Sequence, residues 1–271
     1  MKSFKAAAVQ MNSQPDVDLN FKNARDLIQS AAGEGAVLVG LPEYFSFLGD
    51  VDQRQKKAEE ISERSVQFLQ DTASEFGIHL LGGTIPVPAG NNKTYNRSLL
   101  INPKGDVIAS YDKIHLFDVD LSATESYRES DVIEPGTNPP VTCTTDLPLT
   151  LGLSVCYDLR FPELYRKLID QSAGIITVPS AFTATTGKDH WEPLLRARAI
   201  ENTAYIFAPA QTGTHGKTRK THGHAMIIDP WGTIISDAGT QTGYAMAEID
   251  IQTFTSVRKK LPSLNHRVIK C

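Results

Sequence analysis

Apolar residues occur along the chain in two alternating patterns. Residues 4–11 and 36–41 form short apolar runs typical of buried strands, and residues 78–84 form a third. Between them, residues 19–32 and 58–76 place apolar side chains at helical spacing, and a glycine follows each stretch, as is common at helix ends. The pattern therefore predicts strands that alternate with amphipathic helices.

Two later segments share a hairpin pattern, in which a turn with proline and glycine joins two apolar runs. The turns are residues 102–105 and 229–232, where proline fixes φ and the glycine two residues later permits a reversal. Two such hairpins beside strand–helix units predict two similar halves with one sheet each. We expect an α/β fold, a four-layer α-β-β-α sandwich in which helices cover two mixed sheets, as a single domain over residues 1–271. Residues 116–150 read as an irregular loop.

The composition is that of an ordinary globular protein, and its charge and apolar content argue against some classes of function. The chain has 271 residues, 41% of them hydrophobic and 21% charged, with a formal net charge of −4. Because nucleic acids and membrane surfaces attract basic proteins, this charge argues against both as partners. No apolar run approaches the roughly 20 residues that span a bilayer, and we see no secretory signal. Three cysteines without Cys-x-x-Cys spacing predict a cytoplasmic protein with reduced thiols.

Cys156 stands where the apolar run 149–155 stops and a helical stretch begins. A thiol at such a junction is held out of the core, and backbone amides point past it, which suits a nucleophile. Free cysteines are also common as small buried apolar residues. We assign Cys143 to that class and Cys271 to an exposed tail, which leaves Cys156 as the candidate nucleophile.

Two charged residues are candidate partners of this thiol. Glu43 ends an apolar run in Leu-Pro-Glu, where a carboxylate is partly desolvated and suited to act as a general base. Lys113 follows an apolar run, and strand alternation places it on the same face as Tyr111 and His115. Each also has an ordinary interpretation, Glu43 as a turn cap and Lys113 as part of a solvated face.

Taken together, the three motifs resemble the nitrilase superfamily of carbon–nitrogen hydrolases. The resembling pieces are Leu-Pro-Glu43, Tyr-Asp-Lys113-Ile-His-Leu-Phe-Asp and Gly-Leu-Ser-Val-Cys156-Tyr-Asp-Leu-Arg-Phe-Pro-Glu, in this order. The resemblance implies a second carboxylate in the long loop, matched by Glu129, which would keep the Lys113 ammonium charged and oriented. Glu125 is the alternative for that role in the same loop.

The resemblance implies an amidase that forms a thioester on Cys156. Glu43 would accept the thiol proton, protonate the leaving amine and then activate the hydrolytic water. Lys113 and the backbone N–H of Tyr157 would stabilise the oxyanion, one such donor typically contributing about 3–4 kcal/mol in the transition state. No metal or organic cofactor is required by this chemistry.

The segment 179–202 most resembles the deaminated-glutathione amidase subgroup, and the related ω-amidases share its Thr-Gly-x-x-His-Trp-Glu piece. Deaminated glutathione and α-ketoglutaramate, the substrates implied by the two subgroups, are both carboxylated amides, so a cationic pocket is expected. Lys188, Arg196 and Arg198 are the candidate substrate-binding residues. Both arginines also have a glutamate within one helical turn, so a purely structural ion pair is the alternative.

Three other functions fit parts of the sequence. His215, His222 and His224 are potential ligands of a metal-dependent hydrolase. His190 is a potential base of a papain-like enzyme, although that chemistry leaves the glutamate and lysine motifs without a function. A non-catalytic binding protein on the same scaffold is the third alternative.

The resemblance further implies a homodimer that acts on a small-molecule amide. In the family, the helix after the nucleophile and the C-terminal segment pack against a second copy. Leu164, Leu168 and Ile169 offer an apolar face here, and Leu261 in the tail extends it. Core packing within one chain explains the same pattern.

Overall fold

The computed structural model describes residues 2–123 and 125–269. The strands within them are β1 (Ser3–Met11), β2 (Ala36–Gly40), β3 (His79–Leu81), β4 (Ile85–Gly90), β5 (Lys93–Ile101), β6 (Val107–Asp112), β7 (Asp118–Ser122), β8 (Glu125–Arg128), β9 (Thr142–Cys143), β10 (Thr150–Leu153), β11 (Ala173–Thr177), β12 (Tyr205–Ala208), β13 (Ala210–His215), β14 (Arg219–His222), β15 (Met226–Ile228), β16 (Ile234–Asp237) and β17 (Gly243–Asp250). The helices are α1 (Val17–Gly33), α2 (Val51–Lys56), α3 (Ala58–Phe76), α4 (Pro162–Asp170), α5 (Ala184–Asn202) and α6 (Ile251–Lys260).

Two mixed sheets form the centre of the fold. The first has the order β14-β13-β1-β2-β3-β5-β4, with β17 antiparallel to β1 and β6 beside β5. The second has the order β16-β15-β12-β11-β10-β9. Parallel neighbours such as β1 and β2, or β10 and β11, are joined through helices, whereas β5–β6 and β15–β16 are antiparallel hairpins. The two predicted hairpins are therefore confirmed.

The side chains of β1 alternate between two cores. Ala6 and Ala8 belong to the core that also contains Leu153 of the second sheet, whereas Ala7 and Val9 pack in the core under α1 and α3. Because both faces of the strand are buried, its sequence reads as a continuous apolar run without polar alternation.

Helices cover the outer faces of both sheets. Ile28 of α1 and Leu69 of α3 pack on the first sheet. Leu168 of α4, together with Trp191 and Leu195 of α5, packs with the second sheet. The layers are therefore helix, sheet, sheet and helix, as the sequence predicted.

The apolar face of α4 is used within its own chain. Leu164, Leu168 and Ile169 are 4%, 0% and 8% exposed, and all three belong to the core that contains the second sheet. Of the two interpretations of these residues, core packing is the one that the structure supports. Leu261, in contrast, is 44% exposed.

Two predicted segments differ from the structure. Residues 116–150 are more regular than expected, since β7 and β8 form a hairpin and β9 pairs with β10. None of the residues in β7 or β8 is buried, so the hairpin has no apolar pattern by which to be recognised. The strand expected over residues 78–84 is shorter than predicted. β3 covers His79–Leu81, and the next strand, β4, begins beyond the predicted range at Ile85.

Two further predictions concern the cysteines outside the candidate site and membrane-spanning segments. Cys143 is buried and unbridged, as expected, whereas Cys271 lies outside the described residues. No helix in the described part of the chain is both long enough and apolar enough to cross a membrane.

Candidate active site

Cys156 lies on a strained turn between β10 and α4. It opens a 3₁₀ turn that runs to Arg160, and its φ of +48° is a left-handed conformation that costs a non-glycine residue about 1–2 kcal/mol. The Cys156 N–H donates to the Pro179 carbonyl at 3.1 Å, which ties the turn to the segment after β11. The thiol therefore stands at the carboxyl end of the second sheet, in a residue that is only 9% exposed.

Asp158 holds this turn against the first sheet. One of its oxygens accepts the Val155 N–H at 2.9 Å and the Tyr111 hydroxyl at 2.8 Å. The other accepts the His115 N–H at 3.2 Å and lies 2.7 Å from His115 Nδ1. Since Tyr111 and His115 lie on either side of Lys113, the same carboxylate fixes the backbone that carries the lysine.

Glu43 lies three residues beyond β2 and is 1% exposed. Its Oε1 accepts hydrogen bonds from Asn96 Nδ2 at 2.8 Å and from Lys113 Nζ at 3.1 Å. Its Oε2 accepts the N–H of Ala181 at 2.8 Å. Asn96 and Lys113 come from the first sheet and Ala181 from the segment after β11, so this carboxylate bridges the two sheets.

A close backbone contact positions the Glu43 segment. Gly83 has a φ of +52°, and a Cβ at this residue would lie 2.0 Å from the Pro42 carbonyl oxygen. Only glycine therefore allows the chain after β3 to approach the end of β2 this closely. The adjacent Thr84 accepts the Tyr44 N–H on its hydroxyl at 2.9 Å, which fixes the residue after Glu43.

Lys113 and Glu129 form a buried ion pair. Lys113 lies directly after β6, and its Nζ is 2.9 and 2.7 Å from the two oxygens of Glu129. Glu129 also accepts the Tyr44 hydroxyl at 2.8 Å and the Phe117 N–H at 2.7 Å. The ammonium of Lys113 thus lies between two carboxylates, those of Glu43 and Glu129.

Electrostatics keep both members of this pair charged. Burial alone would lower the pKa of Lys113, but the charges of Glu129 and Glu43 raise it well above its ordinary value. Burial would likewise raise the pKa of Glu129, but Lys113 and the hydrogen bonds to its oxygens lower it. Glu125, the alternative in the same loop, instead accepts the Thr185 hydroxyl at 2.7 Å.

The surroundings of Cys156 favour its neutral thiol over the thiolate by raising its pKa. Burial raises its pKa well above the ordinary value, and the Glu43 carboxylate raises it further, while the Lys113 ammonium opposes both effects. For this sulfur to act as a nucleophile, its proton would have to move to a neighbouring base. Glu43 is the carboxylate with which this thiol interacts.

A cavity of about 250 Å³ opens beside these side chains. Its lining includes the four candidate catalytic residues and Tyr157, the predicted second oxyanion donor. Phe117, Tyr127 and Phe182 supply apolar surface. The structure therefore brings the three sequence motifs and the long loop together around one small-molecule pocket.

None of the three predicted substrate-binding cations lines this cavity. Lys188 is exposed on α5, and Arg196 pairs with Glu192 at 3.4 Å on the surface. Arg198 is buried, but its guanidinium donates twice to the Leu159 carbonyl, at 3.0 and 2.8 Å. Helical spacing in the sequence does not show which face of α5 is directed at the cavity. Both arginines make contacts within the fold, Arg196 with Glu192 and Arg198 with the Leu159 carbonyl, as in the structural interpretation.

Three other arginines line the cavity and were missed by sequence reasoning, among them Arg54 and Arg219. Arg54 belongs to the six-residue helix α2, and Arg219 begins the four-residue strand β14. Both elements are short and polar, so no periodicity marks which side chain points inward. Asn96, which bonds Glu43, was missed because a single amide within a strand carries no local signal.

The histidines of the alternative functions have other partners. His190 does not line the cavity, and its Nδ1 lies 3.2 Å from a nitrogen of Arg160. His215 is buried between the Ser13 carbonyl and the Thr221 hydroxyl, each 2.7 Å away. Over residues 2–123 and 125–269, no group of three or more histidine, cysteine or acidic side chains is arranged to hold a metal ion.

Comparisons with known proteins show the family to which the chain belongs. The carbon–nitrogen hydrolase family model matches residues 5–259. The chain is 50% identical to the deaminated glutathione amidase of Synechocystis sp. over 99% of both chains. It is 41% identical to the mouse deaminated glutathione amidase over 96% of this chain and 82% of the other.

A solved structure supports the same relationship. Saccharomyces cerevisiae Nit3, a member of branch 10 of the nitrilase superfamily, superposes with a TM-score of 0.88. The two chains are 33% identical, and the match covers 99% of this chain and 97% of the other. The protein therefore belongs to the carbon–nitrogen hydrolase family, within the nitrilase superfamily.

Proposed function

We propose that this protein is an amidase that hydrolyses deaminated glutathione through a thioester on Cys156. The proposal is supported above all by the convergence of the Cys156 thiol, the buried Glu43 carboxylate and the Lys113 ammonium at one cavity. A nucleophile, an acceptor for its proton and a fixed cation are the groups that acyl transfer requires.

In the acylation step, Glu43 accepts the thiol proton as Sγ attacks the amide carbonyl carbon. The carbonyl oxygen becomes an oxyanion, for which the Lys113 ammonium and the Tyr157 N–H are the donors. Glu43 then returns its proton to the amide nitrogen, the C–N bond breaks and the amine leaves. The acyl group remains on Cys156 as a thioester.

In the deacylation step, the same carboxylate reverses its role. Glu43 accepts a proton from a water molecule as the water oxygen attacks the thioester carbonyl. Collapse of the second tetrahedral intermediate breaks the C–S bond, releases the carboxylic acid and returns the proton to sulfur. No step draws on a group outside this chain, the substrate and water.

Glu129 positions the cation in this scheme. Its two oxygens hold the Lys113 ammonium, and its own position is fixed by Tyr44 and Phe117. A carboxylate fixed in this way keeps the ammonium charged and directed at the point where the oxyanion forms. Pre-arranged donors of this kind need no reorganisation during the reaction.

The substrate is inferred from the relatives. The proteins from Synechocystis sp. and mouse are named for deaminated glutathione, the keto-acid analogue of glutathione. Its γ-amide joins a carboxylated acyl group to cysteinylglycine, so hydrolysis releases α-ketoglutarate and the dipeptide. α-Ketoglutaramate carries the same acyl group with ammonia as leaving group, and it is the competing substrate.

The test is the rate of α-ketoglutarate release, which both substrates share as a product. We expect the wild type to prefer deaminated glutathione in kcat/KM and Cys156→Ala to have no activity. Cys143→Ala is the matched control, since that thiol lies outside the cavity. Preference for α-ketoglutaramate would overturn the substrate but retain the mechanism, and inactivity on both would favour another amide or a binding function.

We further propose that the enzyme works as a homodimer in the cytoplasm. The described thiols, Cys143 and Cys156, are both unbridged, which suits a reducing compartment. Exposed apolar side chains in the C-terminal segment support the association.

A further inference from the structure

Two guanidinium groups line the active-site cavity without a hydrogen-bond or ion-pair partner anywhere in residues 2–123 and 125–269. They belong to Arg54 and Arg219, and the Nε atom of each is buried and unbonded. A third cavity arginine, Arg128, differs because both oxygens of Asp120 accept from it, at 2.8 and 2.7 Å. Arg54 is 5% exposed, whereas Arg219 is half-buried with only its Nε fully enclosed. Since buried polar groups are normally paired, both groups require an explanation.

Arg54 is directed inward by the helix that carries it. It is the buried residue of α2 and is 5% exposed. The neighbouring Gln55 anchors the helix, donating to the Val132 carbonyl at 2.6 Å and accepting the Thr94 hydroxyl at 3.1 Å. The guanidinium is therefore held at the cavity by a fixed element, at the cost of removing its charge from water.

Arg219 reaches the same cavity from a different element. It begins β14, which pairs with β13 at the edge of the first sheet. His215 on β13 fixes this hairpin, because its ring bonds both the Ser13 carbonyl and the Thr221 hydroxyl. Arg219 is thus also carried by backbone whose position is determined.

Tyr44 connects the two arginines to the catalytic residues. The Cζ atoms of Arg54 and Arg219 lie 4.7 and 5.5 Å from the centre of its ring, within the range of cation–π contact. Its hydroxyl donates to Glu129 at 2.8 Å, and Glu129 holds Lys113. Both guanidiniums therefore contact a ring that is linked through Glu129 to the Lys113 ammonium.

The charges of the cavity leave this pair free to attract an anion. The Lys113 ammonium is matched by the carboxylates of Glu43 and Glu129. Arg54 and Arg219 have no such partner among the described residues. The ring of Tyr44 offsets only part of the cost of burying Arg54. A carboxylate supplies the planar pair of acceptors that a guanidinium binds best.

We propose that Arg54 and Arg219 bind a carboxylate of the substrate and restrict the enzyme to anionic amides. The inference rests on the proposed function and deepens it, because it assigns the residues that select the substrate. They replace Lys188, Arg196 and Arg198, which lie elsewhere. Binding of the carboxylate pairs two charges that are unpaired in the empty site.

The test compares Arg54→Gln and Arg219→Gln with Arg64→Gln, which removes the same charge from the surface pair with Asp18. We expect each cavity variant to raise KM about 10- to 100-fold with a much smaller change in kcat, the loss typical of one charge-assisted pair. Arg54→Lys is expected to recover part of the affinity. Arg64→Gln is expected to match the wild type.

The two substrates identify which carboxylate is bound. A rise in KM for both deaminated glutathione and α-ketoglutaramate assigns the acyl carboxylate, whereas a rise for deaminated glutathione alone assigns the carboxylate of its glycine. Wild-type values in both cavity variants would overturn the proposal. If the wild type hydrolyses neither substrate, the proposed function fails, and calorimetric titration with α-ketoglutarate still tests whether the two arginines bind a carboxylate.

Discussion

At the scale of single residues, the site depends on charges that hold one another in place. The Lys113 ammonium has an elevated pKa because Glu129 and Glu43 outweigh the effect of its burial. The Cys156 thiol has an elevated pKa because burial and Glu43 act in the same direction. One set of contacts thus keeps the cation charged and the nucleophile neutral until the substrate binds.

Glu129→Gln tests the positioning role of this carboxylate. The substitution preserves shape but removes the charge that raises the pKa of Lys113 and orients its ammonium. We expect kcat to fall about 10²-fold, the order of effect seen when an oxyanion donor is lost. Steady-state kinetics on the proposed substrate provide the measurement.

Glu125→Gln is the matched control for that substitution. Glu125 lies in the same loop but accepts from Thr185 and Tyr127 rather than from Lys113. The kcat of Glu125→Gln is expected to stay near that of the wild type. Thermal denaturation establishes that both variants are folded. Equal kinetics in the two variants would refute the assignment of Glu129.

The candidate catalytic residues could be singled out because their three motifs occur together and in order. Glu43 follows Leu-Pro at a strand end, and Cys156 follows an apolar run on a turn. Arg54 and Arg219 were not predictable, since their inward direction depends on tertiary contacts of Gln55 and His215. The sequence therefore contained the reacting groups but not the residues proposed to select the substrate.

At the scale of elements, three of the candidate catalytic residues follow the ends of strands, and loops hold these segments in position. β2 leads to Glu43, β6 leads to Lys113 and β10 leads to the Cys156 turn. The β7–β8 hairpin brings Glu129 to the same point, although its exposed, polar residues gave no sign of regular structure. Long apolar strands were predictable for the converse reason, because burial on both faces leaves a continuous apolar run.

Gly83→Ala tests how far the site depends on one loop contact. The new methyl group would collide with the Pro42 carbonyl oxygen and displace the segment that carries Glu43. We expect kcat/KM to fall roughly 10²-fold, because catalysis is sensitive to displacements near 1 Å. Kinetics together with a melting curve separate this effect from unfolding.

Gly77→Ala isolates the cost of the backbone conformation. Gly77 also has a positive φ, +63° at the end of α3, but a Cβ there would have no heavy atom within 4 Å. It should lose about 1–2 kcal/mol of stability for left-handed backbone while retaining wild-type kcat/KM. If Gly83→Ala lost no more activity than Gly77→Ala, the contact with Pro42 would have no catalytic importance.

At the scale of the whole molecule, the active site belongs to neither sheet alone. Glu43 and Lys113 follow strands of the first sheet, whereas Cys156 and Ala181 follow strands of the second. The four-layer arrangement was predictable from two similar strand–helix halves. The register between the halves was not, since it depends on contacts such as those of Asp158 with Tyr111 and His115.

The proposed homodimer is a prediction at this scale. Leu261, Val268 and Ile269 are 44%, 93% and 84% exposed, and burial of such apolar surface favours association. Light scattering at micromolar protein is expected to give twice the chain mass. The double variant Val268→Ser/Ile269→Ser has a weaker interface and is expected to dissociate already at higher protein concentration than the wild type. A single monomer peak for the wild type would contradict the association.

The protonated state of Cys156 also bears on the durability of the enzyme. Peroxides and alkylating agents attack thiolates, and exposed cysteines with low pKa are the first to be oxidised. Here Cys156 is 9% exposed, and burial together with Glu43 disfavours its ionised form. Surroundings that disfavour the thiolate are therefore expected to slow the oxidation of Cys156 by peroxides as well.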